Sequence, residues 1–221
     1  MTQGATSEIE SDFSAAVERD FRERLGALQS WTDSVFSLLL IAQFAFGIVL
    51  ALTVSPRTWI GSASQTHIHV WTAVVMGGLL TAFPLLLIRY RPGEQVTRYV
   101  VAIAQMLFSG LLIHLTGGRI ETHFHVFGSL AFLAFYRDAR VLLLATAVVL
   151  VDHLVRGIFW PQSVYGVISA TEWRTAEHGA WVLFEVGFLL LAVRNSRQEI
   201  RRISEQRVEL SEAHRSTERL V

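Results

Sequence analysis

Long runs of apolar residues, separated by short polar joints, occupy the sequence from residue 34 to residue 193. A helix that crosses a bilayer needs about 20 mostly apolar residues, and most of these runs reach that length. We therefore predict an all-α fold, a polytopic transmembrane helical bundle of six spans. The alternative is five spans with a re-entrant fourth segment, because the fourth run is short. The predicted spans are 34–54, 67–88, 99–115, 124–136, 141–160 and 177–193.

An amphipathic segment precedes the bundle within residues 1–32, which we treat as a cytoplasmic N-terminal segment. Apolar residues recur there at intervals of three or four, with charged residues between them, and this spacing predicts a helix. Such a helix either lies on the lipid surface or pairs with a partner helix. Its apolar positions are Phe13, Val17, Phe21, Leu25 and Leu28.

A charged segment, residues 196–221, follows the transmembrane sensor bundle of residues 33–195. It predicts a cytoplasmic coiled-coil helix that continues from the last span, links the bundle to an output module and supports a homodimer. The seam positions follow a spacing of three and four: Ile200, Ile203, Leu210, Thr217 and Leu220, with Arg207 and His214 at two further seam positions.

Arginine placement predicts the orientation of the spans, because cytoplasmic joints collect positive charge. The joints after the second, fourth and sixth spans are rich in arginine, whereas the opposite joints hold little more than Arg57, Arg119 and Arg174. Both termini are therefore predicted to be cytoplasmic. The arginines of the rich joints are Arg89, Arg91, Arg98, Arg137, Arg140, Arg194, Arg197, Arg201 and Arg202.

Composition supports lipid as the main partner and narrows the chemistry. Hydrophobic residues make up 52% of the 221 residues and charged residues 17%, and the formal net charge is zero. Zero net charge gives no field that favours nucleic acid. The chain has no cysteine, which excludes disulfides, thiolate metal sites and iron–sulfur clusters.

Seven of the eight histidines fall near the ends of the spans that face away from the cytoplasm. Ionisable side chains at membrane depth are costly and usually face the bundle interior and each other. Imidazole and carboxylate ligands suit iron, zinc or copper, so we hypothesise a mononuclear or dinuclear transition-metal site at the periplasmic end. Its candidate ligands and supporting acids are His67, His69, His123, His125, His153, His178, Glu121, Asp152 and Glu185.

Three other interpretations of these histidines stay open. Haem b needs only two axial imidazoles but leaves the acids unexplained. Coupled histidines can also sense protons, because imidazole titrates near neutral pH. Finally, the histidines could be ordinary residues of the lipid interface, where an aromatic belt is also expected. Asp152 is expected to face inward with Arg156, four residues later, as its partner.

Three motifs resemble a known receptor region. They are the stretch from Gly117 to Phe127 (GGRIETHFHVF), the stretch from Phe135 to Asp138 (FYRD) and the stretch from Asp152 to Gly157 (DHLVRG). Together with Glu172 and the pair Glu177-His178, they resemble the histidine-rich multi-span input region of bacterial sensor histidine kinases and methyl-accepting chemotaxis receptors. The resemblance covers roughly residues 30 to 215 and implies a multi-pass protein of the bacterial inner membrane whose last helix signals to a cytoplasmic output module.

The sequence therefore predicts a membrane sensory input domain that binds a transition metal and signals through its last helix. No catalytic module is visible in the chain, although a histidine kinase output is expected to follow. An integral-membrane enzyme with a dinuclear metal or haem is one alternative. A transporter is another, although spans one and three show almost no ionisable residues in their cytoplasmic halves.

Overall fold

A computed structural model describes the backbone of residues 2–169 and 172–218, and the side chains of 10–169 and 173–218. This part of the chain forms seven α-helices, one β-hairpin and one 3-10 turn. Leu220 of the predicted seam lies outside the described residues. The helices are α1 Thr2–Val54, α2 Ile68–Tyr90, α3 Gln95–Leu115, α4 Ile120–Leu133, α5 Ala139–Phe159, α6 Gln162–Tyr165 and α7 Glu172–Glu218; the hairpin strands are β1 Arg57–Ile60 and β2 Ala63–Thr66, and the turn is Ala134–Tyr136.

The all-helical class is confirmed, with one small exception. Between α1 and α2 the strands β1 and β2 pair antiparallel, with Ile60 opposite Ala63. Gly61 supplies the positive φ of 60° that the tight turn needs. The hairpin was not predicted. The β-branched and aromatic residues Thr58, Trp59 and Ile60 before this glycine favour a strand, but the run is too short to appear as a membrane span.

The two flanking segments are continuous with the bundle helices. α1 runs without a break from the predicted amphipathic segment into the first apolar run and ends at Val54, before Ser55 and Pro56. α7 likewise continues from the last apolar run through the charged segment. The two charged parts, residues 10–33 and 194–218, lie side by side, and we call this pair the stalk. The amphipathic segment therefore pairs with a helix of its own chain.

α3 is the central helix of the bundle. Most of its residues are buried, including Met106, Phe108 and Ile113, and it contacts α1, α2, α4 and α5. Two polar residues in its middle, Gln105 and Ser109, are fully buried as well. Such residues need hydrogen-bond partners inside the protein, and they mark the middle of the bundle as a place where polar groups of several helices meet.

Successive helices run in alternating directions between two ends of the bundle. At the arginine end, Arg98 at the start of α3 contacts Asp138 at the start of α5, and Arg197 of α7 contacts the carbonyl of Arg137. At the histidine end, His123 at the start of α4 lies beside His153 near the end of α5.

α4 is short but still connects both ends. Among the described residues, five helices are long and apolar enough to cross a membrane, namely α1, α2, α3, α5 and α7. α4 has 14 residues, about 21 Å at the usual rise of 1.5 Å per residue, less than the roughly 30 Å of a hydrocarbon core. The 3-10 turn extends it to Tyr136, whose hydroxyl contacts Asp33 at the arginine end. The number of spans therefore stays a prediction, with this end-to-end path favouring six.

The joint between α3 and α4 depends on two glycines. Gly117 and Gly118 have φ values of 68° and 77°, and their N–H groups donate to the carbonyls of His114 and Ile113, which ends α3. A Cβ on Gly118 would overlap the backbone nitrogen of Gly166, whereas a Cβ on Gly117 would meet nothing within 4 Å. This joint and the residue after α6 therefore touch backbone to backbone.

We expect Gly118→Ala to destabilise the bundle far more than Gly117→Ala. Both substitutions place alanine at positive φ, a cost of about 1–2 kcal/mol, but only Gly118→Ala also forces the backbone at Gly166 to move. Thermal unfolding of the two variants in detergent measures the difference. Equal melting temperatures would contradict the close contact.

Candidate functional site

Three histidines from three helices meet at the histidine end, and we call them the histidine triad: His123 of α4, His153 of α5 and His178 of α7. The ring centre of His123 lies 5.6 Å from that of His153 and 5.5 Å from that of His178. His123 and His153 are buried, with 5% and 7% of their surfaces exposed, and His178 is partly exposed. The fold therefore brings together three rings that are 30 and 25 residues apart along the chain.

Each ring of the triad is held by the same local contact. The Nδ1 atoms lie 2.9, 3.1 and 2.9 Å from the backbone carbonyls four residues earlier, those of Arg119, Val149 and Arg174 respectively. A carbonyl only accepts hydrogen bonds, so Nδ1 carries the proton and Nε2 of the neutral ring keeps its lone pair. In His123 this Nε2 atom is buried and has no hydrogen-bond partner within the described chain.

A cavity of about 650 Å³ adjoins the triad between α4, α5 and α7. This volume lies within the range of about 300–1,000 Å³ that is usual for small-molecule and cofactor sites. Its walls are mainly apolar, and the polar side chains on them are the three histidines, Thr175 and Glu177. Besides the triad, the lining includes Phe124, Phe127, Val149, Trp181 and Val182.

Asp152 and Arg156 form the expected ion pair beside the triad. The Arg156 Nε lies 2.9 Å from Asp152 Oδ1, and Asp152 Oδ2 lies 3.2 Å from Nδ1 of His153. Arg156 also donates to Ser163 Oγ at 2.9 Å, and that hydroxyl lies 2.9 Å from Nδ1 of His114. The acid therefore orients a ring of the triad and connects it to a second group of histidines.

The second group consists of His67, His69 and His114 at the same end of the bundle. The ring centres of His67 and His69 are 4.3 Å apart, and those of His69 and His114 are 4.8 Å apart. His67 caps α2 by accepting the backbone N–H of His69 on its own Nδ1. His114 was not among the predicted ligands, although its place at the end of α3 is visible in the sequence.

The remaining predicted site residues lie elsewhere. His125 contacts Gln43 and Ser109 in the middle of the bundle, on a different face of α4 from His123, as expected for residues two apart on a regular helix. Glu121 is exposed. Glu185 lies farther along α7, with Oε2 buried and without a partner in the described chain. Within residues 10–169 and 173–218, no three histidine or acid side chains stand ready to hold a metal ion.

A buried polar network, which the sequence analysis missed, joins the helices at the arginine end. Arg98 donates to Gln29 Oε1 at 2.9 Å and to Asp138 Oδ2 at 3.0 Å. Asp33 accepts the Tyr136 hydroxyl at 2.7 Å and the backbone N–H of Gly93 at 2.6 Å. These hydrogen bonds connect four parts of the chain: α1, the α2–α3 joint, the end of α4 and the start of α5.

The stalk is attached to this network through α7. Arg137 has φ of 54°, and its carbonyl accepts a hydrogen bond from Arg197. The guanidinium groups of Arg197 and Arg201 lie over the ring of Phe21, 5.4 and 5.1 Å from its centre. A movement of the α4–α5 joint therefore changes a contact that α7 makes as it leaves the bundle.

Ion pairs continue along the stalk. Glu18 contacts Arg201 at 2.9 Å and Asp20 contacts Arg207 at 3.3 Å. A hydrogen bond from Arg24 keeps the pKa of the Asp20 carboxyl below its usual value. Of the predicted coil seam, Ile203 and Leu210 stay exposed at 44% and 73%, whereas Arg207 pairs with Asp20 of α1.

The fold is that of a helical membrane bundle with a two-helix stalk. One curated protein is similar in sequence to part of this chain. Transducer protein Htr8 of Halobacterium salinarum is 32% identical over 114 residues, which are 50% of this chain and 17% of the transducer. The chain thus spans a small part of that relative. No family model matches the chain, and no solved structure matches it. The similarity weakly supports a signal-transducing receptor.

We expect Tyr136→Phe to destabilise the bundle by about 1–3 kcal/mol, because it removes the donor to Oδ1 of the buried Asp33 and leaves only the Gly93 N–H on Oδ2. Tyr99→Phe is the matched control, since the Tyr99 hydroxyl contacts only Gln95 at the surface. Thermal unfolding in detergent compares the two variants. If both unfold with the parent chain, the network contributes nothing at this point.

Proposed function

We propose that this chain is the membrane-embedded input domain of a signal-transducing receptor. It receives a ligand at the histidine end and passes the signal through α7 and the stalk to a cytoplasmic output module, as part of a homodimer. The similarity to a transducer and the continuity of α7 from the histidine triad to the stalk support this proposal. A transporter or a membrane enzyme has no need of a last helix that continues past the bundle.

The histidine triad and its cavity form the ligand site in this proposal, and a transition metal is the ligand. Three imidazoles that bind one metal at about 2.0–2.1 Å have ring centres roughly 5–5.5 Å apart, close to the measured separations of 5.5 and 5.6 Å. Metal-bound histidines also commonly donate their other ring N–H to a carbonyl or carboxylate, the contact that each triad Nδ1 makes. Zinc, iron and copper all accept such ligands.

Coordination requires the rings to move. The triad is not in ligand geometry as it stands, so the Nε2 atoms must turn toward a common point. Each ring belongs to a different helix, and a shared metal therefore draws α4, α5 and α7 together at the histidine end. A ligand shifts a conformational equilibrium only through such differential contacts. The closure of this cavity is the proposed input signal.

The arginine end carries the proposed signal onward. The 3-10 turn that extends α4 ends at Tyr136, directly before Arg137, whose carbonyl accepts a hydrogen bond from Arg197 of α7. A shift of α4 relative to α7 therefore alters the position of α7 where the stalk begins. Because Arg201 and Arg207 pair with α1, the two stalk helices respond together.

Haem b is the alternative ligand, favoured by the size of the apolar cavity. A volume of about 650 Å³ with aromatic walls suits a macrocycle better than a bare ion requires. Two axial imidazoles of the triad would hold its iron. The third histidine and Asp152 would then have no direct part in binding, which is why a metal held by three rings is preferred.

The proposed topology predicts which residues face each side of the membrane. Since the chain has no cysteine, single substitutions can be labelled with a membrane-impermeant maleimide in intact cells and in inverted vesicles. We expect Ser62→Cys in the hairpin to react from outside, and Arg140→Cys and Ser211→Cys from the cytoplasmic side. Reaction of Arg140→Cys from the same side as Ser62→Cys would contradict six spans and two cytoplasmic termini.

Metal content tests the ligand directly. We expect the detergent-purified chain to carry about one transition-metal ion and His123→Ala or His153→Ala to lower this content roughly tenfold or more, because each removes a ligand. His214→Ala, on the exposed part of the stalk, is the matched control and should keep the metal. An optical spectrum recorded on the same samples identifies haem by its Soret band. Unchanged metal in both triad variants, or a Soret band, contradicts three-histidine coordination.

A further inference from the structure

His125 belongs to a second polar cluster, separate from the histidine triad. Its Nε2 lies 2.9 Å from Nε2 of Gln43 on α1, and its Nδ1 lies 2.8 Å from Oγ of Ser109 on α3. An amide nitrogen only donates, so His125 accepts at Nε2 and carries its proton on Nδ1. Ser109 in turn donates to the carbonyl of Gln105. The ring therefore has no free nitrogen for a metal.

Two carbonyl oxygens of this cluster lack partners in the described chain. They are Oε1 of Gln43 and Oε1 of Gln105, on side chains that are 6% and 0% exposed. Leaving a buried acceptor without a donor costs about 1–3 kcal/mol. Ser129 accepts the amide of Gln105 at 2.9 Å, which leaves its own hydroxyl proton available. The cluster thus has one free donor, the Ser129 hydroxyl, and two carbonyl acceptors that need a donor.

A groove leads from this cluster to the side of the bundle. Its volume is about 260 Å³, and besides Gln43, His125 and Ser129 it is lined by apolar residues of α1 and α4: Leu39, Ala42, Phe46, Gly128 and Phe132. Phe46 and Phe132 are 51% and 45% exposed on the outer surface. Gln43 is 11 residues before the end of α1, about 16 Å along the helix. In a bilayer the groove opens toward lipid, far from both water layers.

We propose that this groove binds a lipid-soluble hydroquinone. Its ring would lie between Phe46 and Phe132, and one hydroxyl would donate to Gln43 Oε1 and accept from Ser129. A water molecule would satisfy the oxygens but leave the aromatic walls uncovered, and a lipid tail would cover the walls but leave Gln43 unpaired. A hydroxyl on a planar apolar ring meets both requirements. This proposal does not rest on the proposed metal, because the groove uses a different face of α4 from the histidine triad.

Gly128 makes the proposal testable. It lines the groove, and a Cβ there would meet no atom within 4 Å, so an added side chain starts in open space and takes up volume in the groove. Gly187 on α7 also has nothing within 4 Å and is exposed, but it lies outside the groove. Gly128→Val and Gly187→Val therefore form a matched pair with the same cost in helix propensity.

The experiment measures binding of tritiated decylhydroquinone to the purified chain in lipid nanodiscs under reducing conditions, with empty nanodiscs subtracted. We expect saturable binding of about one molecule per chain, weakened roughly tenfold or more in Gly128→Val and in Gln43→Leu, and unchanged in Gly187→Val. Decylbenzoquinone, which has no hydroxyl donor, should compete at least tenfold more weakly.

Three results would overturn the proposal. Non-saturable uptake would mean that the groove holds only water or lipid tails. Equal loss in Gly128→Val and Gly187→Val would mean that the effect is general. Equal binding of the quinone and the hydroquinone would exclude Gln43 as the acceptor. Helix content and melting temperature of each variant, recorded on the same samples, show whether it has folded, and the conservative Gln43→Glu variant, which keeps an acceptor oxygen, should retain binding.

Discussion

Arg98 carries a charge at the arginine end of the bundle with 9% of its surface exposed, and the arrangement of the helices depends on how this charge is paired. A buried charge is tolerated mainly when it is paired and hydrogen-bonded. Gln29, Asp138 and the carbonyl of Gly93 bond to the two terminal nitrogens of Arg98, whereas its Nε has no partner in the described chain. Three separate parts of the chain therefore meet around one guanidinium. Asp33 and Tyr136 then add the end of α4 to the same assembly. The need to pair the buried Arg98 charge therefore determines where these helices end. Apolar packing in lipid does not determine this.

The helices could be predicted from sequence because each apolar run ends at a local signal. Ser55 and Pro56 follow α1, and Gly117 and Gly118 end α3, so the chain itself encodes these boundaries. The network at the arginine end could not be predicted in this way. Arg98 looked like one more arginine of a cytoplasmic joint, because charge counting does not distinguish a buried guanidinium from an exposed one. Its partners are 40 and 69 residues away, and no local pattern connects them.

The histidines show the same division between local and tertiary information. Their concentration at one end followed from the spacing of the spans, and the Nδ1 contact to the carbonyl four residues earlier is local to each helix. Which rings meet depends on how the helices are rotated about their axes. That rotation places His123 beside His153 and His178. It also places His114 beside His69 and brings His125 into contact with Gln43. A sequence that shows seven histidines at one end cannot by itself assign them to three separate groups.

α4 is the helix on which these features converge. One face carries His123 toward the cavity, another carries His125 toward the groove, and its end holds Tyr136 in the arginine network. With 14 residues it is the shortest of the helices that connect the two ends of the bundle, and it contacts α3, α5 and α7. Ligands at its two faces would pull it toward α7 or toward α1, and linkage requires that each changes the affinity for the other by the same factor. We therefore expect that a ligand at either proposed site displaces α4 and changes the affinity of the other site.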